Sequence, residues 1–249
     1  MWRNVMHWRG VALVVAGLVA TLVLAMNGGL VLYIHPRYIV FTVVMTLIAL
    51  ALVAASLFAR PSHDHDPEPA RGLPRLLSVF AIVAAGVIAI AMVGLPAATL
   101  TSATAVQRDP SGLSIGKEAQ NVDSVSSARS AVFKKFTVVD WASLLRQTSD
   151  LSFYDSKPVD VTGFITADPD DPENVFYVSR FVITCCAVDA QPAGVPVYLE
   201  NWGSSLKADQ WVRVTGGFAA NPSESSKRPI ALHVSTIKPV ERPSAPYLY

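Results

Sequence analysis

Two adjacent cysteines, Cys185 and Cys186, are the only thiols in a chain of 249 residues, and they sit in the run Arg180-Phe-Val-Ile-Thr-Cys-Cys-Ala-Val-Asp-Ala190. Thiolates are soft ligands and select metals such as Zn or Cu(I). Neighbouring residues of an extended strand face opposite sides, so on a strand one thiol would enter the core and the other would leave it. If the strand stops short of them, both converge on one ion. A lone Cys-Cys pair lacks the second ligand pair of a zinc ribbon. The missing ligands would then come from Asp189, His233 or a partner subunit. The same pair also suits a vicinal or intermolecular disulfide in an oxidising exterior, or a small buried hydrophobe.

A second candidate, His63-Asp64-His65-Asp66, offers two imidazoles and two carboxylates as borderline-to-hard ligands. Two histidines do not complete a tetrahedral site, and the same run also reads as a solvated polar loop. Cys186, His233 and Asp189 are residue types that could act as nucleophile, base and orienter. No nucleophile elbow, HExxH, P-loop or GxGxxG pattern accompanies them. The expectation is a protein that is not an enzyme, with no catalytic or cofactor-binding residues.

The elements that carry these residues divide the chain. It is 51% hydrophobic and 16% charged with a net charge of +1, and its mean hydropathy is +0.38. Soluble chains carry roughly 25% charged residues. The composition excludes a disordered chain, and the small net charge offers no bulk attraction to nucleic acid. Residues 1–95 hold six basic residues, Arg3, Arg9, Arg37, Arg60, Arg71 and Arg75, against three acids, Asp64, Asp66 and Glu68. Between those charges lie uncharged runs at about 11–34, 38–59 and 76–98. A membrane-spanning helix needs about 20 apolar residues, so residues 1–98 read as an anchor of three transmembrane helices. The first run is longer than the apolar region of a signal peptide, and no small-x-small cleavage site follows it.

Orientation follows from the basic residues at the span ends. The N-terminus and the second loop hold five, Arg3, Arg9, Arg60, Arg71 and Arg75, while the first loop holds only Arg37. That asymmetry predicts a cytoplasmic N-terminus and, after three crossings, an extracytoplasmic C-terminal domain. His63-Asp64-His65-Asp66 and the cysteines would then lie on opposite sides of the bilayer.

Residues 99–135, rich in Ser and Ala, read as a juxtamembrane linker. Phe136 to Gln147 predicts a short amphipathic helix with Asp140 as N-cap and Trp141, Leu144 and Leu145 on one stripe. Residues 136–249 then predict a mainly β domain. Period-two alternation marks Val159–Thr166, Phe176–Cys185, Val195–Glu200, Gln210–Phe218 and Pro229–Val240, with Gly163 at a bend or bulge. Five such strands fit an OB-like small barrel, with an open sandwich as the alternative. Phe176, Tyr177, Phe181, Tyr198 and Trp211 belong to its core and rim rather than to a base-stacking surface.

These residues also carry a resemblance. Tyr33-Ile-His-Pro-Arg37, the run from Arg180 to Ala190 with its Ile-Thr-Cys-Cys signature, and Gly194-Val-Pro-Val197 resemble the bacterial YcgQ-like membrane protein family. The likeness covers essentially the whole chain, and Val188 stands where that family often has Ala. It implies a cell-membrane protein with N-terminal helices and a C-terminal domain bearing Cys-Cys. Members are described as small subunits of a two-component permease beside a larger, multi-spanning subunit of the YraQ-like type, in contexts that hint at metal handling. The expected function is therefore an accessory subunit of a transport complex, embedded in the lipid bilayer and partnered by a multi-spanning permease. No Asp, Glu, Lys or Arg interrupts a span to mark an ion relay, so the chain itself is not expected to carry solute. The competing expectation is a stand-alone surface module that binds a ligand or senses redox state through Cys185 and Cys186.

Overall fold

Helix α1 (Trp2–Met26) and helix α2 (Ile39–Phe58) open the chain. The computed structural model describes residues 2–58, 80, 83–84, 87, 100–109, 121–125 and 130–249. The chain divides into two units, Met1–Ala98 and Thr99–Tyr249.

In the first unit the uncharged run 11–34 is not one continuous helix. Helix α1 ends at Met26, because Gly28 adopts a left-handed φ of 70° that an L side chain resists, and the chain resumes as a 3-10 turn over Gly29–Leu32. A second 3-10 turn, Pro36–Tyr38, leads into α2. Pro36 stands in its first position, and the His35 imidazole accepts the Arg37 N–H at 3.1 Å. Helices α1 and α2 pack on each other, and Ala20, Leu30 and Thr46 are buried in this unit.

Pro36–Ser56 is long and apolar enough to cross a membrane, and almost none of it is buried. Val40, Phe41 and Leu52 are 73%, 65% and 66% exposed. The apolar part of α1, Gly10–Met26, is shorter than the roughly 20 residues a span requires. The third expected span, 76–98, is described only at residues 80, 83–84 and 87, which are helical. Three spanning helices are therefore not found among the described residues; one is. His63 and His65 lie outside the described residues.

The second unit is built on five strands: β1 (Val159–Ala167), β2 (Val175–Val182), β3 (Gln191–Tyr198), β4 (Trp211–Ala220) and β5 (Ile230–Pro239). They close into a barrel in the order β1-β2-β3-β5-β4. All neighbours are antiparallel except β3 and β5, which run parallel through Val197↔Leu232 and Tyr198↔His233. Strand β1 makes the closure. Its first part, Val159–Phe164, pairs with β4, and its last part, Phe164–Ala167, pairs with β2.

The transfer between partners occurs at Gly163, where any Cβ would run into the carbonyl oxygen of Ser179. Bending one strand into two sheet edges requires such a close approach. Gly163→Ala is expected to cost about 1–3 kcal/mol through overpacking. A urea midpoint equal to that of the natural chain would mean that the seam relaxes freely. A similar approach brings Gly216 against the His233 carbonyl, beside the register shift at Thr215/Gly216.

Period-two alternation turns Val159, Val161, Ile165, Val178, Val195, Val197, Val212, Val214 and Leu232 into one core. One further element belongs to that core. Helix α6 (Val138–Gln147) is preceded by α3 (Ser102–Gln107), α4 (Val122–Val125) and α5 (Ser130–Phe133), and is followed by the single turn α7 (Leu151–Tyr154). Its N-cap is Thr137, not Asp140: the Thr137 side chain accepts the Asp140 N–H, and the Asp140 carboxylate accepts the Thr137 N–H at 2.7 Å. That reciprocal pair is a capping box, one residue type removed from the usual Glu or Gln. Trp141, fully buried, stacks with Phe133 at 5.8 Å and meets Phe136 and Phe218 edge-on at 5.3 Å each.

The stretch 99–135, expected to be a polar linker, contributes to the same unit where it is described. Ala105, Val125 and Phe133 are buried, and the Leu100 N–H donates to the Tyr247 hydroxyl at 3.2 Å. Small side chains with a few isolated apolar residues look like linker composition, yet they suffice to lie flat on a barrel already closed.

Candidate functional site

Strand β2 ends at Val182 and β3 does not begin until Gln191. Cys185 and Cys186 therefore stand on the connecting loop and not on a strand, and the arrangement of one thiol inside the barrel and one outside does not occur. The ladder with β3 stops at Val182↔Gln191, and the C-terminal tail straps this end of the strand. The Leu248 N–H donates to the Phe181 carbonyl at 2.8 Å, and the Ile183 N–H donates to the Leu248 carbonyl at 2.9 Å. Arg180 reinforces this strap. Its Nε and Nη2 donate to the carbonyls of Pro246 and Ala245 at 2.9 and 2.8 Å, while its guanidinium lies 5.2 Å from the Trp211 ring centre. Tyr247 is buried against Phe181.

Beyond the strap the loop is organised by one carboxylate. Asp189 accepts the N–H groups of Thr184 at 3.3 Å, Cys185 at 2.7 Å and Cys186 at 3.4 Å. Three successive amides converging on one anion form a nest. Cys186 precedes the 3-10 turn Ala187–Asp189, and its sulfur in turn faces the Asp189 N–H. The far end of the loop is held by Arg108, which donates to the carbonyl of the fully buried Ala190. The loop is thus fixed at both ends with its tip outward. Cys185 is exposed, Cys186 is half-buried, both are free thiols, and Val188 is 82% exposed.

The adjacent Cys186 sulfur holds the Cys185 thiol above its usual range, with desolvation and the Asp189 carboxylate acting the same way. Thiolate is the reactive form. At neutral pH Cys185 is therefore expected to alkylate more slowly than an exposed cysteine in a short peptide, and the difference should shrink as the pH is raised through its elevated pKa. A pH series of maleimide labelling rates checks this; equal rates throughout would contradict it.

Asp189→Ala should release the three amides without unfolding the barrel, at a cost of about 1 kcal/mol. Hydrogen exchange at Thr184, Cys185 and Cys186 is then expected to accelerate while β2 and β3 stay protected. Unchanged exchange at those three positions would show that the strap and Arg108 alone define the loop.

His233 does not join this site. It lies on β5 beside Tyr198, stacked at 6.1 Å, with its Nε2 3.1 Å from the Ala220 carbonyl oxygen. Tyr198 is the last residue of β3, whereas the cysteine loop adjoins its first residue, Gln191. The length of the strand, roughly 25 Å at about 3.3 Å per residue, separates them. Cys186, Asp189 and His233 are therefore not assembled as a catalytic set. Among the described residues no group of three or more His, Cys, Asp or Glu is placed to hold a metal ion. Asp189 is committed to the backbone and His233 is remote, so among the described residues nothing completes a four-coordinate site around the two thiols.

Two features of the site escape simple pattern reading. The role of Asp189 as loop organiser is visible in retrospect, since an acceptor three residues beyond a turn-starting residue has the spacing of a capping box. The tail strap has no such signal, because it joins residues more than sixty positions apart. A separate shallow groove is lined by Leu145, Arg146, Tyr177, Pro196 and Arg228. There Arg228 Nε donates to the Tyr177 hydroxyl at 3.0 Å, and burial pushes the Tyr177 phenol up to about 12.

Residues 116–249, more than half of the chain, match the model of the DUF1980 C-terminal domain. The chain belongs to the DUF1980 C-terminal domain family. The matched segment contains most of what the structure shows at the site: the cysteine loop, Asp189, the barrel and the tail strap. Arg108 and the helices of the first unit precede it. The likeness to YcgQ-like proteins is consistent with membership of this family. No match was found among curated proteins.

Proposed function

We propose that the chain is an accessory subunit of a two-component membrane transport complex. Its N-terminal helices dock in the bilayer on a larger, multi-spanning permease, and its OB-like barrel works outside the cytoplasm. The observation that carries this reading is the joining of an unburied apolar helix, Pro36–Ser56, to a closed, well-packed barrel in one chain. Such a helix needs lipid or a partner to cover it, and a few helices without an internal charge make no solute path of their own. Five basic residues against one at the span ends support a cytoplasmic N-terminus and an extracytoplasmic barrel.

Affinity purification of the full chain from native membranes, followed by mass spectrometry, is expected to recover a multi-spanning partner in stoichiometric amount. Recovery of the chain alone, in several detergents, would overturn the reading. A thiol reagent that cannot cross membranes should label Cys185 in intact cells; labelling only after lysis would reverse the topology.

A second reading, a surface module that senses redox state, is favoured by two free, adjacent thiols, one exposed and one half-buried. It predicts a thiol state that responds to oxidant in the absence of any other protein.

A further inference from the structure

We propose that Cys185 and Cys186 are one half of a four-thiolate metal site, completed by the same two residues of a second copy of this chain. The starting point is a mismatch. Two soft ligands lie together on an exposed loop, and among the described residues none is placed to complete their coordination. Asp189 accepts three backbone N–H groups, His233 stands at the opposite end of β3, and no third ligand is grouped with the thiols among the described residues.

The loop is nevertheless built to present the pair. The tail strap and Arg108 fix its ends, the Asp189 nest fixes its turn, and the exposed Cys185 stands next to the half-buried Cys186 at the tip. Val188, apolar and 82% exposed, flanks them. A two-fold axis through such a tip brings identical loops together, two sulfurs from each, with the valines closing the rim. Four thiolates in a tetrahedron are a complete structural zinc site.

The protons and charges balance. Four thiols and one Zn2+ give a tetrathiolate of net charge −2 and release four protons to solvent. The divalent ion overrides the elevated pKa of Cys185, since a coordinating thiol is deprotonated outright.

This inference rests on the loop and not on a transport partner, so it stands or falls apart from the accessory-subunit reading. The test is a Co2+ titration of the full chain in detergent micelles, reduced and stripped of metal, with mass measured in parallel. The expected result is saturation at one Co2+ per two chains, an intense thiolate-to-cobalt charge-transfer band with tetrahedral visible bands, displacement by Zn2+, and metal-dependent dimerisation. Cys185→Ser and Cys186→Ser should each weaken binding by more than about 100-fold, beyond what losing a supporting residue costs. Both should leave circular dichroism unchanged, because the loop is outside the core. One metal per chain, a spectrum without sulfur bands, binding retained in both serine variants, or saturation only when another protein is added would each overturn the proposal.

Discussion

Val214→Asp is expected to unfold the barrel. Val214 is fully buried, pairs with Val161 on one side and Ile237 on the other, and belongs to the central core. A carboxylate placed there has no cation or donor to satisfy it, and even in its protonated form it carries polar atoms into an apolar interior. Losses above about 4 kcal/mol are exceptional for single substitutions and arise from this kind of burial. Since domains are stable by only about 5–15 kcal/mol, the variant should lose near-UV dichroism and its cooperative urea transition. The neighbouring Arg213→Ala is the control. Arg213 points outward, with its side chain 58% exposed, and pairs with Asp160, an interaction typically worth below about 1 kcal/mol. If Val214→Asp melts like the natural chain, the inner wall of the barrel has been misplaced.

Trp141→Ala should have the next largest effect. Its indole fills the contact between α6 and the barrel, touching Phe133, Phe136 and Phe218, and truncating a buried aromatic to alanine costs about 3–5 kcal/mol. Trp141→Phe separates packing from hydrogen bonding. The indole Nε1 is buried without a partner, so phenylalanine removes an unsatisfied donor while keeping much of the ring. The expected order of urea midpoints is natural chain, then Trp141→Phe close behind, then Trp141→Ala far below. Equal midpoints for Trp141→Phe and Trp141→Ala would mean that the ring does not pack where it is placed.

Much of this architecture was legible in the residues because burial writes a period into sequence. Val195-Pro-Val197 and Trp211-Val-Arg-Val214 alternate at two, and those alternations became the inner face of β3 and β4. The strand count and the bend at Gly163 follow from the same local rule. The apolar run in α2 was equally plain, since length and composition alone decide whether a helix can span a bilayer. Local rules failed where a boundary depends on something distant. Phe176–Cys185 reads as one strand on pattern, but its pairing with β3 stops at Val182↔Gln191, and the amides of Thr184, Cys185 and Cys186 turn to the Asp189 carboxylate instead. The apolar run 11–34 reads as one helix, but the left-handed Gly28 ends it at Met26.

What the sequence determined by itself is the division into an apolar helical part and a β part, the inward residues of the strands, and the presence of a thiol pair. Each depends on residue types a few positions apart. Only the tertiary structure decided that the thiols leave the barrel wall, that Asp189 is spent on three backbone amides, and that His233 is a strand's length away. Those outcomes depend on register, on barrel closure and on a C-terminal strap. A one-residue change of register leaves composition untouched yet reverses every side chain it carries, and that is why the chemistry of Cys185 and Cys186 could be named from the sequence while its geometry could not.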